Sequence, residues 1–402
     1  MRVLFLLTQD LESPSGLGRY RPLAQALVRL GHDVSVLALH PDFENLTSRQ
    51  FDLSGIKVHY VAPMHVKKTG NLKRYYPAWK LVFVTSFATL RMARAALKEQ
   101  ADIVHIGKPH PMNSIAGLLS KYLQRKTLYL DCDDLEAESG NFSASWLRWI
   151  VELFERYTPY FADKLTTNTA ANRLRLLLSG ITPERIVDLP NGVDRERFND
   201  PDPGAVLALR NRLGLEGKQV VLFSGSLSKP SHPVGLLLEA FGLVLKDRPH
   251  ARLLIVGGGE EFEALQTQAR QGGLYESSVF CGRVPPQEVP LYYHLAIVSV
   301  DPVNDDSASR GRSPLKLFES WACGVPFVSG DVGDRRKLLG EPPAGLLVKP
   351  GDPVALAEAI TRLLIDPDLA TTLCRRGKER VQAYYWDKLA SEMEREYLLS
   401  LG

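Results

Sequence analysis

The feature that most constrains this chain is a rhythm that runs, stops once and starts again. Short apolar runs, VLFLL at 3–7, VSVLAL at 34–39, DIVHI at 102–106 and TLYLD at 127–131, alternate with helix-length segments such as 20–30, which ends at Gly31, and 114–123. Apolar runs bounded by turn residues read as strands buried on both faces, and the helical segments between them supply the crossovers that parallel strands need. The rhythm breaks in PNGVDRERFNDPDPG at 190–204, a composition that ends elements. It restarts with VVLFSGS at 220–226, RLLIVGGG at 252–259, VFCGRV at 279–284, IVSV at 297–300 and PFVSG at 326–330. The expected fold class is α/β, two Rossmann-like doubly wound domains in tandem. A length of 402 residues gives each half its own core. The last stretch carries Trp386, Leu389, Met393 and Tyr397 at helical spacing and reads as one long terminal helix.

Charge excludes one class of function and raises another. A net charge of +3 is too mild for a protein dedicated to gripping a nucleic-acid backbone, so no nucleic-acid partner is expected. Between 53 and 98, however, there is no Asp or Glu, while Lys57, Lys67, Lys68, Lys73, Arg74, Lys80, Arg91, Arg94 and Lys98 are spread among Tyr75, Tyr76, Trp79, Phe83 and Phe87. A solvated surface is one reading of that stretch. A basic, aromatic-bearing face resting on an anionic membrane is the other. Cys132, Cys281, Cys323 and Cys374 follow no C-x-x-C or framework spacing, which fits reduced thiols in a cytoplasm and gives no metal site. The opening MRVLFLLTQD is too short for a membrane span and lacks a small-residue cleavage region, so it reads as a first buried strand.

The stretch RGRSPLKLFE at 310–319 carries the clearest chemistry. Ser313 followed by Pro314 has the form of a helix start, with Ser313 as cap and Pro314 at the first helical position. The open amides of Leu315 and Lys316 then favour an anion, and Arg310, Arg312 and Lys316 add full charges of the kind a diphosphate requires. Glu319 lies nearly two turns in, placed to accept from sugar hydroxyls. A capped, solvated helix is the plain alternative.

Gly16 and Gly18 in SPSGLGRY form a second candidate phosphate loop, although Arg21 stands where the third glycine of G-x-G-x-x-G belongs. Gly258 sits in a glycine run at a strand end, where a plain strand-to-helix turn is the alternative. In DCDDLE at 131–136, Asp133 and Asp134 are expected to line a polar cleft rather than to hold a metal. His105 ends a strand, where ligand sites of parallel sheets open, but a lone strand histidine is also often structural.

Taken in order, SGLGRYRPLAQALVRLGHDVSVL, ADIVHIGKPHP, LPNGVDRERF, GSLSKPSHPVGLLLEAF, LLIVGGGEE, CGRVPPQEVPLYYHLAIVSVDP and SPLKLFESWACGVPFVSGDVG give a chain that resembles the retaining glycosyltransferases of family 4 over nearly its whole length. The resemblance implies the GT-B fold, two Rossmann-like domains facing across a cleft. It implies an acceptor-binding domain at 1–190, joined by a C-terminal helix at 384–402 that crosses back to it, and a nucleotide-sugar-binding domain at 191–383. The implied activity is transfer of a sugar from a nucleotide-diphosphate-sugar donor to a hydroxyl of a carbohydrate or lipid-linked acceptor, in surface polysaccharide or glycolipid synthesis. The anomeric configuration is retained, with no cofactor and no obligatory metal. The implied location is cytoplasmic, at a membrane if the basic 53–98 face contacts one.

By the same resemblance Glu319 binds the ribose, the backbone near Arg283 and Val284 meets the base, Leu315 and Lys316 donate to the diphosphate, Gly16 and Gly18 approach it from the other domain, and His105 lies near the donor sugar. Three departures stand out: Gly311 replaces the family's first acid, and Ser226 and His232 replace its Arg and Lys. Lys229, Arg310, Arg312 and Lys316 are the replacement cations. A nucleotide-sugar epimerase of similar fold and a non-catalytic nucleotide-sugar-binding protein are the alternatives. The defective glycine fingerprint disfavours a dehydrogenase.

Overall fold

The structure, a computed structural model, describes residues 1–402 except 70–71, 134–135, 140–141, 143 and 229–231. The chain divides into two compact units, the first made of Met1–Gly192 with Trp386–Gly402 and the second of Val193–Tyr385.

The first unit contains β1 (Arg2–Leu7), α1 (Arg21–Arg29), β2 (Asp33–His40), β3 (Gln50–Leu53), β4 (Ile56–Pro63), β5 (Val66–Thr69), β6 (Leu72–Tyr75), α2 (Ala78–Ala96), β7 (Ile103–Ile106), α3 (Pro111–Gln124), β8 (Thr127–Cys132), α4 (Glu136–Ser139), α5 (Ser145–Phe161), β9 (Lys164–Thr167), α6 (Ala170–Leu178) and β10 (Ile186–Asp188). Eight strands form one sheet in the order β10-β9-β8-β7-β1-β2-β4-β3, parallel except for the edge pair β3–β4, and β5 and β6 form a separate hairpin. Strand side chains alternate between faces. Val3, Phe5 and Leu7 therefore enter one core and Leu4 and Leu6 the other. Burial on both sides is why β1 reads as an unbroken apolar run.

The second unit contains α7 (Pro203–Arg212), β11 (Gln219–Ser224), α8 (Val234–Asp247), β12 (Ala251–Val256), α9 (Phe262–Gln271), β13 (Ser278–Gly282), α10 (Val289–Tyr293), β14 (Val298–Asp301), α11 (Ser307–Gly311), α12 (Leu315–Ala322), β15 (Phe327–Gly330), α13 (Arg335–Leu339), β16 (Leu346–Val348), α14 (Pro353–Ile365) and α15 (Pro367–Val381). Its six-stranded sheet is parallel throughout, in the order β13-β12-β11-β14-β15-β16.

The last helix, α16 (Trp386–Leu399), packs in the first unit beside α1. Trp386, Leu389, Ala390, Met393 and Tyr397 make one buried stripe at helical spacing. Burying each of the four large side chains contributes about 1.5–3 kcal/mol. The Trp386 indole N–H donates to Gly18 O at 3.0 Å, fixing the helix start against the loop after β1.

In both sheets the strand order reverses beside the first strand of the unit, between β1 and β7 in the first and between β11 and β14 in the second. Loops leaving the C-terminal ends of such a strand pair diverge and leave a crevice there.

Candidate functional site

In the second unit this position gathers a compact set of charges. β14 ends on Asp301, which is fully buried. One oxygen, Oδ2, accepts from Arg335 Nη2 at 2.9 Å. The other, Oδ1, lies 3.2 Å from both Lys316 Nζ and His232 Nδ1. It meets no aligned donor, so charge rather than hydrogen bonding holds it there. Lys316 Nζ is 2.8 Å from His232 Nε2 and lies over the Phe223 ring. Burial pushes Asp301 up, but Lys316, His232 and Arg335 outweigh it and hold the carboxylate well below its ordinary range. Burial first, then the Lys316 charge, pulls the His232 imidazole down to about 4, so it is neutral at pH 7. Burial also lowers Lys316, against the attraction of Asp301.

Lys316 belongs to the first turn of α12. That turn closes from Leu317 N–H to Pro314 O at 3.1 Å, which leaves the Leu315 and Lys316 amides ahead of it. The expected cap is corrected here. Pro314, with extended backbone, holds the N-cap position without a side-chain cap, and the helix starts one residue later than the Ser-Pro pattern suggests. Ser313 is buried just before it. Glu319 is half-buried on the same helix, with Oε2 held at 3.0 Å by the Tyr293 hydroxyl. Arg312 is half-buried, and its charge lowers both His232 and Lys316, which places it by the cluster.

Arg310 stands apart from the buried cluster. It is an exposed side chain forked onto Asp305 at 2.7 and 3.0 Å, a local surface pair on α11. Ser226 faces Ser228 at 3.4 Å. Gly258 lies in a turn where backbones touch: a Cβ on the neighbouring Gly257 would stand 1.8 Å from Gly225 O. The glycine run therefore lets the ends of β11 and β12 approach to backbone contact. Arg283 and Val284 follow β13, exposed and half-buried respectively. Lys229 lies outside the described residues.

The first unit has its own strand-end clusters. Arg19 forks onto Asp131 at 2.6 and 2.7 Å, and its other nitrogen donates to Leu189 O at 3.1 Å and Asn191 Oδ1 at 3.0 Å. Burial pushes Asp131 up, but Arg19 holds it below the usual carboxylate value. Thr166 and Tyr20 also donate to Asp131. Gly16 fits because a Cβ would lie 2.3 Å from Asp10 O, and its N–H donates to Ser13 Oγ. The Gly18 carbonyl is engaged by Trp386. Room for a close turn is what Gly16 supplies here.

His105 is a second correction. It is 1 % exposed, stacked on Phe5 and bonded through Nδ1 to the Tyr397 hydroxyl at 2.5 Å, so it is packed beneath α16 rather than opening onto a crevice. Burial lowers it to about 4. Lys108, His110 and Glu136 meet instead at the ends of β7 and β8, with Glu136 bound by Lys108 and by His110 Nε2 at 3.2 Å. Asp133 is buried, 3.9 Å from Lys108. Asp134 lies outside the described residues. Among the described residues no three His, Cys, Asp or Glu side chains converge as a metal site, and the four cysteines are unpaired.

The sequence alone does not single out Asp301, Arg335, Lys108 or Glu136. The available signal was position, since each lies at or just beyond the C-terminal end of a parallel strand. On α2, Trp79, Phe83, Phe87 and Leu90 are exposed beside exposed Lys80, Arg91 and Arg94, while Ala88, Met92 and Ala96 face the core. Among the described residues no helix is long and apolar enough to cross a membrane.

Comparison with known proteins places these geometries in context. Residues 15–192 match the family described as Glycosyl transferase 4-like domain, and residues 218–366 that described as Glycosyl transferases group 1. Together they take in most of the chain. A D-inositol 3-phosphate glycosyltransferase of Acidothermus cellulolyticus is 34% identical over 56% of this chain and 51% of its own length. A GDP-mannose-dependent alpha-(1-6)-phosphatidylinositol monomannoside mannosyltransferase of Mycobacterium tuberculosis is 33% identical over 51% of this chain and 54% of its own. The matches thus span about half the length of these curated relatives. Among solved structures, sucrose-phosphate synthase from Thermosynechococcus elongatus superposes with a TM-score of 0.78 at 21% identity, covering 100% of both chains. Anabaena HepE in complex with UDP-glucose does so with a TM-score of 0.73 at 20% identity, again over 100% of both.

Proposed function

Because this chain belongs to the group 1 glycosyl transferases and has the GT-B fold, we propose that it transfers a sugar from a nucleotide-diphosphate-sugar donor to a hydroxyl acceptor, with retention of anomeric configuration. One observation supports this most: a single helix, α12, presents two open amides, the buried Lys316 ammonium and the Glu319 carboxylate at the switch point of a parallel sheet. In this reading the Leu315 and Lys316 amides and the Lys316 ammonium take the diphosphate, with Arg312 adding charge. As the glycosidic bond breaks, negative charge grows on the departing diphosphate, and donors already fixed around it lower the barrier. Glu319, one oxygen held by Tyr293, accepts from the ribose hydroxyls. The backbone at Arg283 and Val284 meets the base. These charges let the reaction run without an obligatory metal.

The acceptor side is assigned to the first unit, around Asp133 and its Lys108 neighbour. The named relatives act on inositol phosphate or phosphatidylinositol mannoside, which favours a glycolipid or polysaccharide acceptor here. A membrane contact through α2 fits such an acceptor, with its exposed aromatics entering the interface and its cations meeting anionic headgroups. The location proposed is the cytoplasm, at the membrane surface.

Thermal shift against UDP, GDP, ADP and dTDP tests the donor assignment. A nucleotide at a hundred times its Kd stabilises by about 2.7 kcal/mol. No shift with any of the four, in wild-type protein, would remove the donor site.

A further inference from the structure

The buried triad Asp301–His232–Lys316 has a feature that simple phosphate binding does not require. An ammonium can only donate, so the imidazole nitrogen 2.8 Å from Lys316 Nζ must be the acceptor. The imidazole proton then sits on Nδ1, the atom beside Asp301. Lys316 has three N–H groups: one is directed at His232, one lies toward Asp301, and the side chain keeps 9% exposure for the third.

Resting on the donor-site reading above, we propose that His232 is a proton-accepting positioning residue: when a nucleoside diphosphate draws the Lys316 ammonium toward its oxygens, the released Nε2 lone pair takes a proton from solvent. The balance is simple. Lys316 exchanges a hydrogen bond to Nε2 for one to a phosphate oxygen, no covalent bond changes, and the site gains one positive charge beside the anion. Product departure reverses the step and returns the proton.

The surroundings of His232 fit this role. From β14 it faces Asp301; from α12, Lys316, with Glu319 further along; from the loop before α12, Arg312; from α13, Arg335 across Asp301; and from β11, the Phe223 ring. Without ligand, Lys316, Arg312 and Arg335 outnumber Asp301 and burial disfavours another charge, so the ring stays neutral. A multiply charged diphosphate reverses that balance. Asp301 Oδ1, 3.2 Å from Nδ1, offers the resulting imidazolium a carboxylate of opposite charge.

The test uses the full chain and whichever of UDP, GDP, ADP and dTDP shifts its melting point. Calorimetric titration at pH 6.5 in buffers of different ionisation enthalpy counts protons taken up on binding, in wild type and in His232→Gln. Wild type should take up close to one proton more than the variant, and its Kd should tighten by up to tenfold per pH unit on acidification beyond the change in the variant, whose ligand titrates identically. Equal proton counts and equal pH slopes, with nucleotide bound to both, overturn the role of His232 and leave the donor site standing. Failure of every nucleotide to bind wild type removes the donor site and the proposal with it. Should His232→Gln not fold, the imidazole signals of saturated wild type report the same thing: a ring that remains neutral at pH 6.5 overturns the proposal.

Discussion

Replacing Asp131 by Asn would strand a buried guanidinium. Arg19 is 2% exposed and Asp131 1%, and the pair shares two aligned contacts of 2.6 and 2.7 Å. Removing one member of such a pair costs about 3–5 kcal/mol, because the remaining charge is left in a medium that solvates it poorly. The carbonyls of Leu189 and Asn191 stay at 3.1 and 3.0 Å and soften the loss, so the lower end, about 3 kcal/mol, is expected. For a unit of this size each kcal/mol moves the melting point by about 2–4 °C, giving a fall of about 6–12 °C. Differential scanning calorimetry is the assay, with a nucleotide that shifts only the second unit's transition identifying which peak belongs to the first. Adding Arg19→Met to Asp131→Asn removes the stranded charge and should recover at least half of the loss. A fall under about 2 °C in the single variant, or a double variant as low as the two losses added, would refute the reasoning.

Other consequences are as direct. Glu319→Gln removes a charged acceptor of about 1.5–3 kcal/mol and should weaken donor binding roughly 10- to 150-fold, measured by titration with the donor nucleotide. Trp386→Ala should cost about 3–5 kcal/mol from lost packing, read from the same first-unit transition. His105 is held near 4 when folded, below an ordinary value of about 6.5, so the unfolded chain binds more protons between these values. Its stabilising contribution is complete above pH 6.5 and falls by about 3 kcal/mol on acidification to pH 4, a slope that His105→Gln should flatten in pH-dependent melting. Trp79→Ser with Phe83→Ser should lower co-sedimentation with anionic vesicles several-fold, and equal binding to zwitterionic vesicles would argue against the charged component.

What could be read from the residues followed the burial of the strands. β1, β2, β7, β8, β11, β12, β13, β14 and β15 announce themselves because their middles are short apolar runs, most of them covered on both faces. β4 alternates, β3 is a polar antiparallel edge, β9 sets a single Leu among Lys and Thr, and β10 and β16 are only three residues long, so their signal merges with loop composition. At the candidate site the order along the chain gave Leu315, Lys316 and Glu319, since one helix carries them all. Asp301, Arg335 and His232 come from three separate loops and elements, and no spacing rule joins residues so far apart. His105 misled because a strand-end histidine looks the same in sequence whether it faces a crevice or the underside of a terminal helix.

The second unit is, in chain order, an insertion between Gly192 and Trp386 of the first. On a ribosome adding about 5–20 residues per second, the first unit therefore waits about 10–40 s after residue 192 for the helix that seals its core. During that interval the groove awaiting Trp386, Leu389, Met393 and Tyr397 is open, while the later unit can already be finished. Completion of the first unit is thus tied to a helix made only after the whole second unit, and a product stopped just after residue 385 would pair one sound half with one that exposes apolar surface to chaperones and proteases.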